Sequence, residues 1–142
     1  MSEITFEDIF KEEGLEKPVQ NKLDLIELTR KGISKKSLLK LAELLSISIK
    51  DFAKLLPVTE RTIQRYNTNK RFKSDISEHV ILIAEVLLKG LEVFENQEKF
   101  KKWIDTPNRS FANTAPIKLL DTSFGTQLVI DELGRLEHGI YS

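Results

Sequence analysis

Ile49-Lys50-Asp51-Phe52-Ala53-Lys54-Leu55-Leu56-Pro57-Val58-Thr59-Glu60-Arg61-Thr62-Ile63-Gln64-Arg65-Tyr66-Asn67-Thr68 is the stretch on which the fold turns. Ser48 can cap a helix from Ile49 to Leu56, which Pro57 must end, because proline disfavours helical geometry in the residue before it. Thr59 then caps a second short helix running to about Thr68. A helix, a tight turn and a second helix able to enter a major groove make a helix-turn-helix. Ala53 falls where the two helices cross and a small side chain is needed, while Phe52, Leu56, Ile63 and Tyr66 are the apolar positions that pack the pair. Pro57 stands where such motifs often carry glycine, so this turn is built differently.

With Ile63 and Tyr66 turned inward, helical geometry turns Arg61, Gln64, Arg65 and Thr68 outward. Arginine pairs with guanine edges and glutamine with adenine, whereas Thr59, Thr62 and the helix N-terminus suit phosphate oxygens. Lys70, Arg71 and Lys73 follow at once and can neutralise backbone charge. The bland alternative is a solvated helix face. Agreement of cap, crossing residue and exposed side chains favours DNA.

Charge along the chain fits a confined basic face. The 22 Lys+Arg balance 22 Asp+Glu, but residues 1–34 carry five basic and eight acidic groups, residues 35–80 ten and five, and residues 81–142 seven and nine. Only the middle segment is basic, as a nucleic-acid face on one subdomain would be, although a charged solvated surface would read the same way. At 40% hydrophobic and 31% charged, the 142 residues read as globular, not disordered or fibrous. Without cysteine there is no disulfide framework, Cys-type zinc site or thiol nucleophile. The longest apolar run, Val80 to Leu88, is interrupted by Glu85 and is too short to span a bilayer, and Met1-Ser2-Glu3 does not open a signal peptide. A cytoplasmic protein without membrane contact is expected.

Apolar spacings of three and four elsewhere predict an all-α chain. Ile4, Phe6, Ile9 and Phe10 form an acidic amphipathic piece before Gly14 and Pro18, in an arm of residues 1–29. Helices are predicted over Leu23–Thr29, ended near Gly32, and after Ser34, where Leu38, Leu41, Leu44 and Leu45 form one stripe. From Ile76 to Phe94 the apolar surface is wider than one face, which predicts a helix buried on more than one side: a spine joining two regions, or a self-association surface. Helices follow over Gln97–Ile104, Ile117–Leu120 and Ser123–Glu137, with Gly139 placed as a left-handed stop.

Taken together, Lys31-Gly32-Ile33-Ser34, the leucine helix and Thr59 to Arg65 resemble the DNA-binding part of the Xre/MbcA/ParS group of bacterial antitoxins. The resemblance continues through Phe94, Trp103-Ile104, Pro107-Asn108, Pro116 to Thr122, Gly125, Val129, Leu133 and Arg135 to Gly139, in the order of that family's toxin-binding domain. Phe111-Ala112-Asn113 departs from the small glycines usual in that loop, and residues 1–29 are not covered. The resemblance implies an Xre-like helix-turn-helix region at 30–94 that represses its own operon, followed by a small helical toxin-binding domain at 95–142. It also implies a RES-type, NAD-consuming toxin, or an ADP-ribosylating relative, as partner. Operator DNA and a homodimer reading paired half-sites complete the expected assembly.

No catalytic residue, metal site or cofactor is expected. Glu137-His138 with Asp131 and Glu132 is poorly spaced for metal or acid/base chemistry, and a partner contact or a helix C-terminal cation suits His138 better. Phe100 and Trp103 share a helix face and read as core. A cleft that admits an anionic dinucleotide favours inhibitors carrying acidic and polar groups. Arg135, Glu137, His138, Tyr141 and Ser142 are therefore the expected toxin contacts, on a tail freed by Gly139, with Tyr141 and the terminal carboxylate deepest; alternatively these residues only end a helix. A stand-alone helix-turn-helix regulator is the second function class, and a small enzyme the third.

Overall fold

A computed structural model of the chain describes residues 4–15 and 18–141, with backbone alone for Glu12, Ile140 and Tyr141. The secondary structure follows the capping residues. Thr5 and Asp8 exchange capping bonds at the start of α1 (Phe6–Ile9), which leads into a 3-10 turn at Lys11–Glu13. Asn21 caps α2 (Lys22–Lys31), which ends at Gly32 with φ 88°, a backbone conformation that favours glycine. Next come α3 (Lys35–Leu45), α4 (Ile49–Ala53), capped by Ser48, and α5 (Glu60–Arg65), capped by Thr59. Helix α6 (Ser74–Phe94), α7 (Gln97–Asp105), 3-10 turns at Arg109–Phe111 and Pro116–Leu119, and α8 (Ser123–Tyr141) complete the chain. Among the described residues there is no strand, only isolated bridges Ser34–Arg71 and Asn108–Thr114, and no helix long and apolar enough to cross a membrane. The all-α expectation holds.

The chain divides into two compact units, Met1–Ala84 and Glu85–Ser142, with the division inside α6. In the first, Phe10, Ile33, Leu38, Leu41, Phe52 and Ile63 are fully buried, so the arm contributes to this core. Val80, Ile83, Ala84, Val86 and Leu87 of α6 are also buried, as a helix apolar on several faces requires. In the second unit Phe100, Ile104, Leu120, Val129 and Leu133 form the core, and Phe94, Phe100 and Trp103 cluster with ring centroids 5.7–6.5 Å apart.

Three local expectations are corrected. Helix α4 ends at Ala53, because the amides of Leu55 and Leu56 bond three residues back and the chain tightens into a turn before Pro57. Helix α5 stops at Arg65, short of Thr68: Asn67 Oδ1 accepts from the amides of Asn69 and Lys70, a local turn that competes with helix. Gly139 does not stop α8, which runs on to Tyr141 without a left-handed residue. The Asn108–Pro116 loop turns without glycine, through Ala112 at φ 55° and Asn113 at φ 64°.

Candidate functional site

The helix-turn-helix exposes the side chains that its spacing selects. Thr59 Oγ1 accepts from the Thr62 amide at 3.1 Å and donates to Thr62 Oγ1 at 2.9 Å, so both hydroxyls serve the helix start. Ile63 is fully buried between α5 and the core, which turns Arg61, Gln64 and Arg65 to solvent. Neither arginine has an ion-pair partner among the described residues; Gln64 reaches back to Glu60 at 3.4 Å. Lys35, at the start of α3, donates to the carbonyls of Tyr66 at 2.9 Å and Gln64 at 3.4 Å, and so holds the C-terminal end of α5.

Tyr66, the C-cap of α5, is half-buried. Its ring stacks on Phe72 at 4.5 Å and carries Lys70 Nζ 4.4 Å above it, which leaves Lys70 exposed beside the helix. Arg71, expected on the DNA face, is tied inside the unit by one nitrogen: Nη1 donates to Glu13 Oε1 and to the Gly32 carbonyl, both at 2.7 Å. Arg61, Gln64, Arg65 and Lys70 are thus all exposed, and Arg71, its side chain 37% exposed, is engaged through Nη1.

In the second unit, α8 buries Gly125, Thr126, Val129 and Leu133. Opposite them, Phe124, Leu128, Asp131, Arg135 and His138 recur at steps of four and three and form one outward stripe. Phe124 is 87% exposed and Leu128 54%, an apolar pair left largely open among the described residues. Of the expected toxin contacts, Arg135 and His138 lie on the stripe. Glu137 turns inward to Lys89; the side chain of Tyr141 and all of Ser142 lie outside the described residues. Phe124 and Leu128 were missed because an i, i+4 apolar pair reads equally well as a buried stripe.

Ion pairs fasten α8. Lys89 Nζ donates to Glu137 Oε1 at 2.7 Å and lies 3.9 Å from Glu92. That hydrogen bond holds the Glu137 carboxyl below its ordinary 4.5 and raises Lys89 above its ordinary 10.5. Two hydrogen bonds from Arg135, at 2.8 and 2.6 Å, and one from Ser110 at 3.1 Å hold Glu132 below 4.5 as well. A depressed carboxyl stabilises the fold above its unfolded value, and the contribution is lost as pH falls through the folded value. The raised lysine contributes below 10.5 and stops contributing as pH rises through its folded value. Acidification below 4.5 is therefore expected to lower the thermal midpoint of the wild type more than that of E137Q, modestly, because the pair is partly exposed. Parallel pH curves in circular-dichroism melts would remove the pair from this account.

These two units are those of a known class. Residues 24–85 match the antitoxin Xre-like helix-turn-helix domain, and residues 89–139 the antitoxin Xre/MbcA/ParS C-terminal toxin-binding domain. The chain belongs to the Xre/MbcA/ParS antitoxin family. An "Antitoxin Xre" of Yersinia enterocolitica serotype O:8 / biotype 1B is 31% identical over 87 residues, 60% of this chain and 59% of that one. An "Antitoxin Xre" of Photorhabdus laumondii subsp. laumondii is 28% identical over 94 residues, 65% of this chain and 64% of that one. The match thus spans less than two thirds of either relative's length. A chain from the crystal structure of the M. tuberculosis MbcT-MbcA toxin-antitoxin complex superimposes with a TM-score of 0.58 over 76% of this chain and 96% of its own, at 17% identity, a likeness of fold.

Proposed function

We propose that this chain silences a cognate toxin through α8 of its second unit and represses its own operon through α5 of its first. The observation that carries this reading is the joining, in one chain, of a helix-turn-helix match at 24–85 to a toxin-binding-domain match at 89–139. The partner is a RES-type, NAD-consuming enzyme or an ADP-ribosylating relative. It docks on the stripe of Phe124, Leu128, Asp131, Arg135 and His138, with Phe124 as the anchor, and the antitoxin acts by contact without chemistry of its own. Because α8 runs on through Gly139, the C-terminal residues reach the toxin as the end of a helix. The direct test is co-expression with a RES-type protein encoded in the adjacent reading frame. Capture of that protein and loss of its NAD consumption support the reading, and an unbound, active enzyme contradicts it.

On DNA, Arg61 and Arg65 read base edges while Gln64, Thr62, Thr59 and Lys70 assist. Paired half-sites call for a homodimer, for which the exposed Leu23 and Ile26 of α2 offer an apolar surface, since the apolar positions of α6 are largely buried within the chain. R61A and R65A are each expected to weaken binding to the duplex upstream of the chain's own coding sequence by about 1–3 kcal/mol, with the melting temperature unchanged. A salt-matched titration with unaltered affinity would show that α5 does not read DNA.

A further inference from the structure

The buried carboxylate of Glu13 belongs to neither face. It lies in the arm, before residue 24, where the helix-turn-helix match begins, and its side chain is fully inaccessible. Oε2 accepts from the Ser34 amide at 2.7 Å, Ser34 Oγ at 3.0 Å and Ser37 Oγ at 2.5 Å. Oε1 accepts from Arg71 Nη1 at 2.7 Å, and the backbone carbonyl accepts from Lys31 Nζ at 3.0 Å. Ser34 occupies the N-cap position of α3, yet its own side chain makes no capping bond to that helix. Glu13 instead accepts from the amide and hydroxyl of Ser34 and from the Ser37 hydroxyl at the start of α3, and Arg71 with the start of α3 balances a charge that would otherwise be costly to bury.

The network leads to the segment that leaves α5. Arg71 bridges to Ser34, and the Phe72 amide donates to the Ile33 carbonyl at 2.8 Å. Ser77 Oγ accepts from the Ile33 amide at 3.0 Å and donates to the Phe72 carbonyl at 3.2 Å. Phe72 stacks on Tyr66, the C-cap of α5, whose carbonyl Lys35 holds. At Gly32 a Cβ would crowd the Phe72 carbonyl, so this joint closes only around glycine.

We propose that Glu13 is a positioning residue for the DNA-reading unit: by holding the start of α3 and Arg71 it fixes the Tyr66–Phe72 segment. This rests on the DNA reading of α5. The carboxylate is needed because the two ends of the side chain must both accept. A glutamine that keeps its oxygen on Ser34 and Ser37 turns its amide N–H against Arg71.

The test compares full-length E13A, E13Q, R71A and E13A/R71A by amide hydrogen exchange and by affinity for the upstream duplex. E13A is expected to speed exchange of the Ser34 and Phe72 amides by about tenfold or more. E13Q should spare Ser34 while releasing Phe72 as R71A does, and the double variant should be no worse at Phe72 than E13A. DNA affinity should fall about tenfold in E13A and E13Q. Unchanged exchange in E13A, or additive effects in the double variant, overturns the clamp. Altered exchange with full DNA affinity overturns the positioning role. A wild-type chain that binds no duplex, its amides still protected, overturns the DNA reading of α5 and the positioning role with it.

Discussion

G125A is expected to unfold the second unit at temperatures where the wild type is intact. Gly125 lies in the first turns of α8, where the helix backbone meets the 3-10 turn Pro116–Leu119. An added Cβ would overlap the carbonyl group of Leu119, and a backbone group cannot rotate aside as a side-chain end can. Relief requires moving the Leu119–Leu120 segment, and Leu120 is fully buried. Overpacking costs about 1–3 kcal/mol where side chains yield, so about 3 kcal/mol or more is expected here. For a unit this small that lowers the melting temperature by more than about 10 °C. G134A is the internal control: no atom lies within 4 Å of its added Cβ, and alanine is the better helix former, so that variant should melt at or slightly above the wild type. Equal melting of both variants would contradict the close approach at Gly125.

Paired aspartates at Phe124 and Leu128 are expected to abolish toxin capture and leave folding intact. Both side chains stand largely in water, so charge there costs the free chain little. In the proposed complex the same positions are the apolar centre of the contact, where buried unpaired carboxylates are expensive and aromatic anchors carry about 2–4 kcal/mol each. The affinity of F124D/L128D should drop at least about 100-fold. Retained capture would move the docking surface off this face.

How much of this was legible in the chain follows from which signals are local. Caps and spacings place α2 to α8 within a few residues, because Ser48 and Thr59 act on amides three residues away. Thr68 falls outside α5 because the Asn67 turn overrules the helical period. Gly139 was read as a stop because glycine permits a left-handed residue but does not impose one. Arg71 looked like a DNA contact because nothing local shows that it meets Glu13, 58 residues away. On α8 the closest approach is made at Gly125, which has no apolar side chain to reveal it, so Phe124 and Leu128 could be assigned to either face.

In the proposed function one chain carries a toxin-silencing face and a separate DNA-reading face. The decisive measurement is NAD consumption by the proposed RES-type partner, titrated with wild type, R61A/R65A and F124D/L128D. Wild type and R61A/R65A should silence the enzyme at the same stoichiometry, while F124D/L128D leaves it active although folded and competent to bind the upstream duplex. Full silencing by F124D/L128D, or equal loss in R61A/R65A, would contradict the account.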